Sequence, residues 1–402
     1  MTLVTELDLP AFDYTDPALR GERFHATMAE LRQRSWIACS PLGFFVLDRE
    51  AGEEFLRTRK ATFPGMKLAE IFGVTEGPLF EEISRNILNV GGDDHRRLRN
   101  LVNPAFAPKA ANRYRPAMRG FLEGLFAPLQ EVGHCDLVPA IAKSYPALVI
   151  ATVMGAPITD AERLHDWSAW IQRQFSADLV GERERIERAV EEFYEYAGAL
   201  LEQRRATPGE DLVSTLIAAE QEGDRLSDVE LVNLVLNVLI GAIDTTQSQL
   251  THALRLFAEH PDQWELLAQR PELAPAAVEE VLRFEPITPF TARILIEDFE
   301  LRGVTFPAGT VVMVCAFTAN REGEGEGLDR FDIAAQRPRA RVLTFGAGIH
   351  YCLGANLARA ELEEALAFLA PRMPGLELDG EPVFDSINGI YGMLELPIRW
   401  RT

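Results

Sequence analysis

The stretch from Ser227 to Pro261 constrains the chain most. "SDVE" opens it as a capping box, with Ser227 as N-cap and Glu230 placed to reach back. The helical pattern then runs unbroken to His260-Pro261, where proline ends it. At 1.5 Å per residue such a helix spans roughly 50 Å, enough to cross a whole domain. Its first half, "LVNLVLNVLIGAI", is apolar almost all round and must be buried on most sides. The middle then spells "GAIDTTQSQ". Gly241 is a poor helix former, costing about 1 kcal/mol against alanine. Asp244, Thr245 and Thr246 set a carboxylate and two hydroxyls in the core. Two readings stay open: a packing notch with threonine bonded to the preceding turn, or a small-residue groove lined by an acid and an alcohol.

Around this helix the periodicity stays helical. "DDHRRLRNLVNPAF", "DAERLHDWSAWIQRQF", "ERIERAVEEFYEYAGALLEQRR" and "DQWELLAQ" space their apolar residues by three and four. Strand-like runs are fewer and short: "FFVLD", "TARILI" and "TVVMVC". Strands and helices do not alternate along the chain, so a doubly wound sheet is not expected. The reading is a mainly α chain, one domain over residues 1–402 with small peripheral β-sheets. "NREGEGEGLD" reads as a mobile acidic loop. Lys and Arg number 40 against 61 Asp and Glu, a net charge of -21, which argues against wholesale nucleic-acid binding. No membrane span is expected from the apolar runs, and the acidic, proline-punctuated start lacks the features of a secretion signal. A cytoplasmic protein is the expectation.

Four cysteines lie far apart with no CxxC, so a zinc site or redox dithiol has little support. Cys39, Cys135 and Cys315 read as buried small hydrophobes. Cys352 differs. It follows Gly346 and Gly348, and a strong helix former, "LGANLARAELEEALAFLA", runs from it to Pro371. Free N–H groups and the helix dipole favour a thiolate at such a place, for a nucleophile, a redox sensor or a metal ligand. A nucleophile lacks its signature, although His350 is near. A dinucleotide loop fails, because Tyr351 stands where the third glycine belongs. An axial thiolate on a haem iron accounts for more, since glycines admit a flat macrocycle.

"FGAGIHYCLG", Phe345 to Gly354, resembles the cysteine loop of the cytochrome P450 family, bacterial soluble class. Other segments agree in the same order: "EEVLR" with Glu280 and Arg283, "LDRF" with Arg330, "GAIDTT" in the central helix, "HRRLR" with His95 and Arg99, and the strand bearing Arg293. The match covers essentially the whole chain. It implies a P450 fold without a fused reductase, haem b (iron protoporphyrin IX) as cofactor, and Cys352 as the iron ligand. His95, Arg99, Arg293 and His350 would hold the propionates, with Phe345, Gly354 and Ala242 also at the haem. Glu280, Arg283 and Arg330 would form a structural ion-pair network. Asp244 and Thr245 would be catalytic, delivering protons to bound dioxygen. One departure stands out: the family has Ala-Gly where this chain has Gly241-Ala242.

The implied activity is a monooxygenase that inserts one oxygen atom from O2 into an apolar small organic molecule. Phe72, Leu79, Phe80, Trp170, Phe175, Ile243, Ile287, Phe290 and Ile390 are the expected pocket wall. Electrons would come from a separate ferredoxin and reductase, the ferredoxin docking at Arg96, Arg97, Arg337, Arg339 and Arg341. A monomer is expected. A peroxide-driven oxygenase is the second reading, disfavoured by the intact Asp244 and Thr245. A non-catalytic haem-based ligand sensor is the third, disfavoured by the lack of an output domain.

Overall fold

The capping box at Ser227 forms in this computed structural model. Ser227 Oγ accepts from Glu230 N–H at 3.2 Å, and Glu230 Oε2 accepts from Ser227 N–H at 2.8 Å. Residues 2–175, 179–221, 226–323, 327–337, 341–387 and 389–402 are described by the structure. The elements that frame the site are α1 (Pro78–Arg85), α2 (Gly92–Val102), α3 (Ala161–Gln172), α4 (Leu179–Ala206), α5 (Asp228–Glu259), α6 (Ala274–Phe284) and α7 (Ala355–Leu369).

The long helix α5 is the axis of the molecule. It packs against α3, α4, α6 and α7, and its residues run through the largest apolar cluster. Its most apolar 18-residue window is 61% buried, so a stretch long enough to cross a membrane serves here as core. Among the described residues no other helix is both long and apolar enough to span.

Five short strands make the largest sheet: β1 (Ile37–Ser40), β2 (Gly43–Val46), β3 (Ala61–Thr62), β4 (Phe290–Leu295) and β5 (Val311–Cys315), in the order β1-β2-β5-β4-β3. The runs "FFVLD", "TARILI" and "TVVMVC" fall on β2, β4 and β5. In the β4–β5 ladder Arg293 pairs with Val312, and β2 runs parallel to β5. The sheet has its own apolar clusters to either side. Cys315 is fully buried, whereas Cys39 and Cys135 are part-exposed, a correction to their reading as core residues. The "NREGEGEGLD" loop is tied at its start, where Glu322 accepts from Arg49 N–H at 2.8 Å and pairs with Arg32; residues 324–326 lie outside the described residues.

Candidate active site

Gly346 and Gly348 take φ values of +67° and +73°, a region costly for residues with a Cβ, and so turn the chain tightly ahead of Cys352. A Cβ on Gly348 would lie 2.4 Å from Leu56 O, so the loop is also pressed against the neighbouring helix. Within the loop Cys352 N–H donates to Phe345 O at 2.9 Å. Gly354 is the N-cap residue of α7. Burial pushes the Cys352 thiol up, while the N–H groups of Gly354 and Ala355 and the charges of Arg99 and Arg359 oppose it. The expected dipole effect is therefore present but outweighed by desolvation of the thiol.

A cavity of about 500 Å³ opens above this loop. Cys352, Phe345, Gly346, His350 and Gly354 line it from one side, and Gly241, Ala242, Thr245 and Thr246 of α5 from the other. Arg99 and Arg293 line it too. Arg293 is 3% exposed, its recorded hydrogen bond goes to the adjacent Ala292 O, and burial pulls its guanidinium down to about 10. Arg99 donates to Tyr351 O, and burial lowers its pKa against the pull of Cys352. His350 is held down to about 3, first by burial, then by Arg293, His95 and Arg99. Its Nδ1 is buried without a partner. His95 does not line the cavity but sits behind, its ring 4.8 Å from that of His350. Arg99, Arg293 and His350 at one cavity edge, desolvated and with His95 behind them, fit a flat cofactor that brings two carboxylates.

The ion-pair network differs from expectation in one arm. Arg283 meets Glu280 through Nε and Nη2, each at 2.8 Å. The second bidentate partner is Arg337, through Nε at 2.9 Å and Nη2 at 2.8 Å. Arg330 contributes only its main-chain carbonyl, which accepts from both Arg283 and Arg337 at 2.9 Å. Arg337 thus leaves the proposed docking surface and replaces Arg330 in the core. Burial works to raise the Glu280 pKa, but the two arginines and Asp332 N–H outweigh it, and the carboxyl ends below its ordinary value. The loop is further fixed by Asn320, whose Oδ1 accepts from Leu343 N–H at 2.7 Å and whose Nδ2 donates to Thr344 Oγ1 at 2.9 Å. Neither Arg337 nor Asn320 was flagged in these roles by sequence; "RPRARV" immediately upstream of the loop was the available signal.

On α5, Thr245 Oγ1 donates to Gly241 O at 2.7 Å and faces the cavity. The notch and the groove are thus the same feature. Asp244 points the other way. Its Oδ2 accepts from Ser168 Oγ on α3 at 2.6 Å, and burial raises its pKa against the influence of Ser168 and His165. Of the expected wall residues, Phe72, Phe175, Ile287, Phe290 and Ile390 line the cavity. Leu79 and Phe80 instead pack in a side cluster. Ile243 is fully buried in the main core. Trp170 packs at the edge of that core under Arg185. These four are corrections: apolar composition was read correctly, but the faces they occupy were not. Of the docking arginines, Arg96 pairs with Asp93 and Arg97 with Glu230. Arg341 lies over the Tyr351 ring, and Arg339 lies outside the described residues.

Comparison with known proteins agrees with this geometry. The family model for cytochrome P450 matches residues 71–369. Luteothin monooxygenase of Streptomyces thioluteus is 37% identical over 398 residues, 98% of this chain and 96% of that protein. Nocardicin C N-oxygenase of Nocardia uniformis subsp. tsuyamanensis is 38% identical, covering 78% of this chain and 79% of the relative. The crystal structure of CalO2 superposes with a TM-score of 0.91 at 31% identity, over 98% of this chain and 99% of that one. A thiol loop, a cation-rimmed cavity, this fold and these relatives lead to one assignment: the chain belongs to the cytochrome P450 family, whose cofactor is haem, and is a monooxygenase.

Proposed function

We propose that the protein oxidises an apolar small organic molecule within the cavity between α5 and the Cys352 loop. It would do so as one haem domain that takes electrons from a separate ferredoxin-type carrier. The observation that carries the reading is the set of desolvated basic groups beside the Cys352 thiol, the cations of Arg99 and Arg293, bonded only to main-chain carbonyls, and the His350 imidazole with its unpartnered Nδ1. Cys352 would ligate the iron, those basic groups with His95 would take the propionates, and Phe345 would shield the sulfur from water. Haem, when bound, supplies the activation of dioxygen and its insertion into the substrate.

The chain's own residues then supply position and protons. Thr245 presents a hydroxyl at the cavity face of α5. Behind it Asp244 hydrogen-bonds to Ser168, and His165, one turn earlier on α3, contacts the exposed Asp166 at 3.3 Å. His165 bonds Gln247 Oε1 through Nε2 at 3.0 Å and reaches Asp244 only through its charge, so these groups would relay protons from the surface toward the α5 groove only when His165 turns to Ser168 or Asp244. The apolar residues Phe72, Phe175, Ile287 and Phe290 exclude water around the substrate.

Docking of an acidic carrier would draw on Arg339 and Arg341, with Arg96 and Arg97 contributing by breaking their present pairs. A cytoplasmic, monomeric enzyme goes with this reading. The test is spectroscopic. The reduced protein with carbon monoxide should show the red-shifted Soret band of a thiolate-ligated haem, and Cys352→Ser should lose it. A parent without the band, or a variant that keeps it, overturns the assignment of Cys352.

A further inference from the structure

The cavity wall is mixed, with polar side chains at several points besides the Cys352 loop, among them Gln172, Gln249, Thr288 and Thr291. At one corner Gln174 and Asn86 line it, with Asn237 on α5 bonded to the adjacent Ile87. Behind them lies Glu82 of α1, a carboxyl only 1% exposed. Its polar neighbours are well defined. Asn86 Nδ2 reaches Glu82 Oε1 at 3.4 Å, while Asn86 Oδ1 is occupied by Leu88 N–H at 3.0 Å. Asn237 Oδ1 accepts from Ile87 N–H at 2.9 Å, and its Nδ2 bonds Asn233. Asn233 in turn donates to Tyr194 Oη of α4. The asparagines are thus committed to the protein. Gln174 is not: it is 7% exposed, and its Nε2 is buried without a hydrogen bond of good geometry, as is Glu82 Oε2. The two groups face each other, close enough for Gln174 to act on the acidity of Glu82.

A carboxylate facing an amide selects the amide's N–H side. With Nε2 turned to Glu82 and shut off from the cavity, Oε1 is the atom of Gln174 left for a ligand. We propose that Gln174 is the polar anchor of the substrate cavity, accepting a hydrogen bond from a hydroxyl or N–H group of the substrate, and that Glu82 is the positioning residue that orients it. The anchor adjoins Asn237, and eight residues of α5 separate Asn237 from Thr245, about 12 Å of helix rise. The substrate class is therefore a mainly apolar molecule with one hydrogen-bond donor roughly that far from the oxidised carbon. This rests on the oxygenase reading of the same cavity.

The arrangement also makes the corner sensitive to protonation. Burial raises Glu82 to about 7 against the opposing bonds of Asn86 and Gln174. The other ionisable groups around it are Tyr194 and, beyond that, Arg85, which is paired at the surface with Glu81. Once protonated, Glu82 can donate from Oε2 while Oε1 still accepts from Asn86. Gln174 then turns its Oε1 to the acid and offers Nε2 to the cavity, so a donor on the ligand loses its advantage.

Calorimetric titration of the haem-loaded enzyme with decyl alcohol and decyl methyl ether tests both parts. At about pH 8.5 the alcohol should bind roughly tenfold tighter than the ether, the worth of one hydrogen bond. At about pH 6 the ratio should fall toward one. Gln174→Leu should bring the ratio to one at both pH values while the ether still binds. Glu82→Gln should leave a ratio that no longer changes with pH. A ratio near one in the parent at the higher pH, with both ligands bound, overturns the anchor alone. So does an undiminished preference in Gln174→Leu, and a ratio that still titrates in Glu82→Gln overturns the role of Glu82. Binding of neither ligand overturns instead the reading of the cavity as an apolar substrate site.

Discussion

Arg337 and Arg330 lie seven residues apart in one loop, and only the first sends its side chain to Glu280. Removing Arg337 leaves Glu280 paired with Arg283 alone and forfeits two hydrogen bonds to a buried charge, a loss of about 1.5–3 kcal/mol. Arg337→Ala should therefore lower the denaturation midpoint and weaken haem retention, whereas Arg330→Ala, which keeps its carbonyl, should do little; equilibrium unfolding of the two variants checks this. His350 gives a pH prediction with a fixed sign. Its folded-state pKa of about 3 lies below the ordinary 6.5, so the unfolded chain binds more protons between those values. Its contribution to stability is full above pH 6.5 and declines as pH falls toward 3. In the haem-free protein, His350→Gln should flatten that part of the stability profile, read from urea midpoints across the range. Thr245 and Asp244 divide the proton work differently. Thr245→Ala should retain reductant consumption but yield less product per electron, with peroxide making up the loss. Asp244→Asn should slow turnover on the order of a hundredfold, the usual scale for a lost proton-transfer group. Single-turnover and coupling measurements separate the two.

At the scale of elements, α5 was readable because its boundaries rest on local chemistry: a reciprocal cap at Ser227 and a proline after His260. The Cys352 loop was readable for the same reason, since glycines with positive φ mark where the backbone must turn. Which face an apolar side chain takes was harder. Leu234, Val238, Gly241 and Thr245 line the cavity at helical spacing. Ile243 lies about 200° around the helix from Gly241, at 100° per residue, and so faces the core. That phase was in the sequence; which stripe of an almost wholly apolar helix meets the cavity was not, because tertiary packing decides it. Leu79 and Phe80 were misplaced for a related reason, as α1 turns them into a side cluster of their own. The path of the loop before Leu343, which selects Arg337 over Arg330, has no periodicity from which to read it. Two glycines test the element-level account. Gly348→Ala combines a positive φ with a close approach to Leu56 O and should cost about 1–3 kcal/mol. Gly241→Ala meets nothing within 4 Å and should stabilise α5 by up to about 1 kcal/mol while narrowing the cavity. Melting curves of both variants check the contrast.

Across the whole molecule, a net charge of -21 contrasts with the concentration of cations at one internal edge. The surface repels an acidic electron carrier except where local basic groups remain, so reversing Arg341 should slow reduction most at low ionic strength. Unchanged reduction kinetics and salt dependence in Arg341→Glu would remove that residue from the interface. Inside, Arg99 and Arg293 give the polypeptide a biogenesis problem. Before it acquires its prosthetic group, the nascent protein holds two desolvated guanidinium charges beside an imidazole they keep neutral, and the incoming porphyrin relieves that strain with its own acids as it completes the interior. Iron is not needed for that relief. Iron-free protoporphyrin should raise the melting temperature of the freshly made protein, and its dimethyl ester, stripped of both acids, should not.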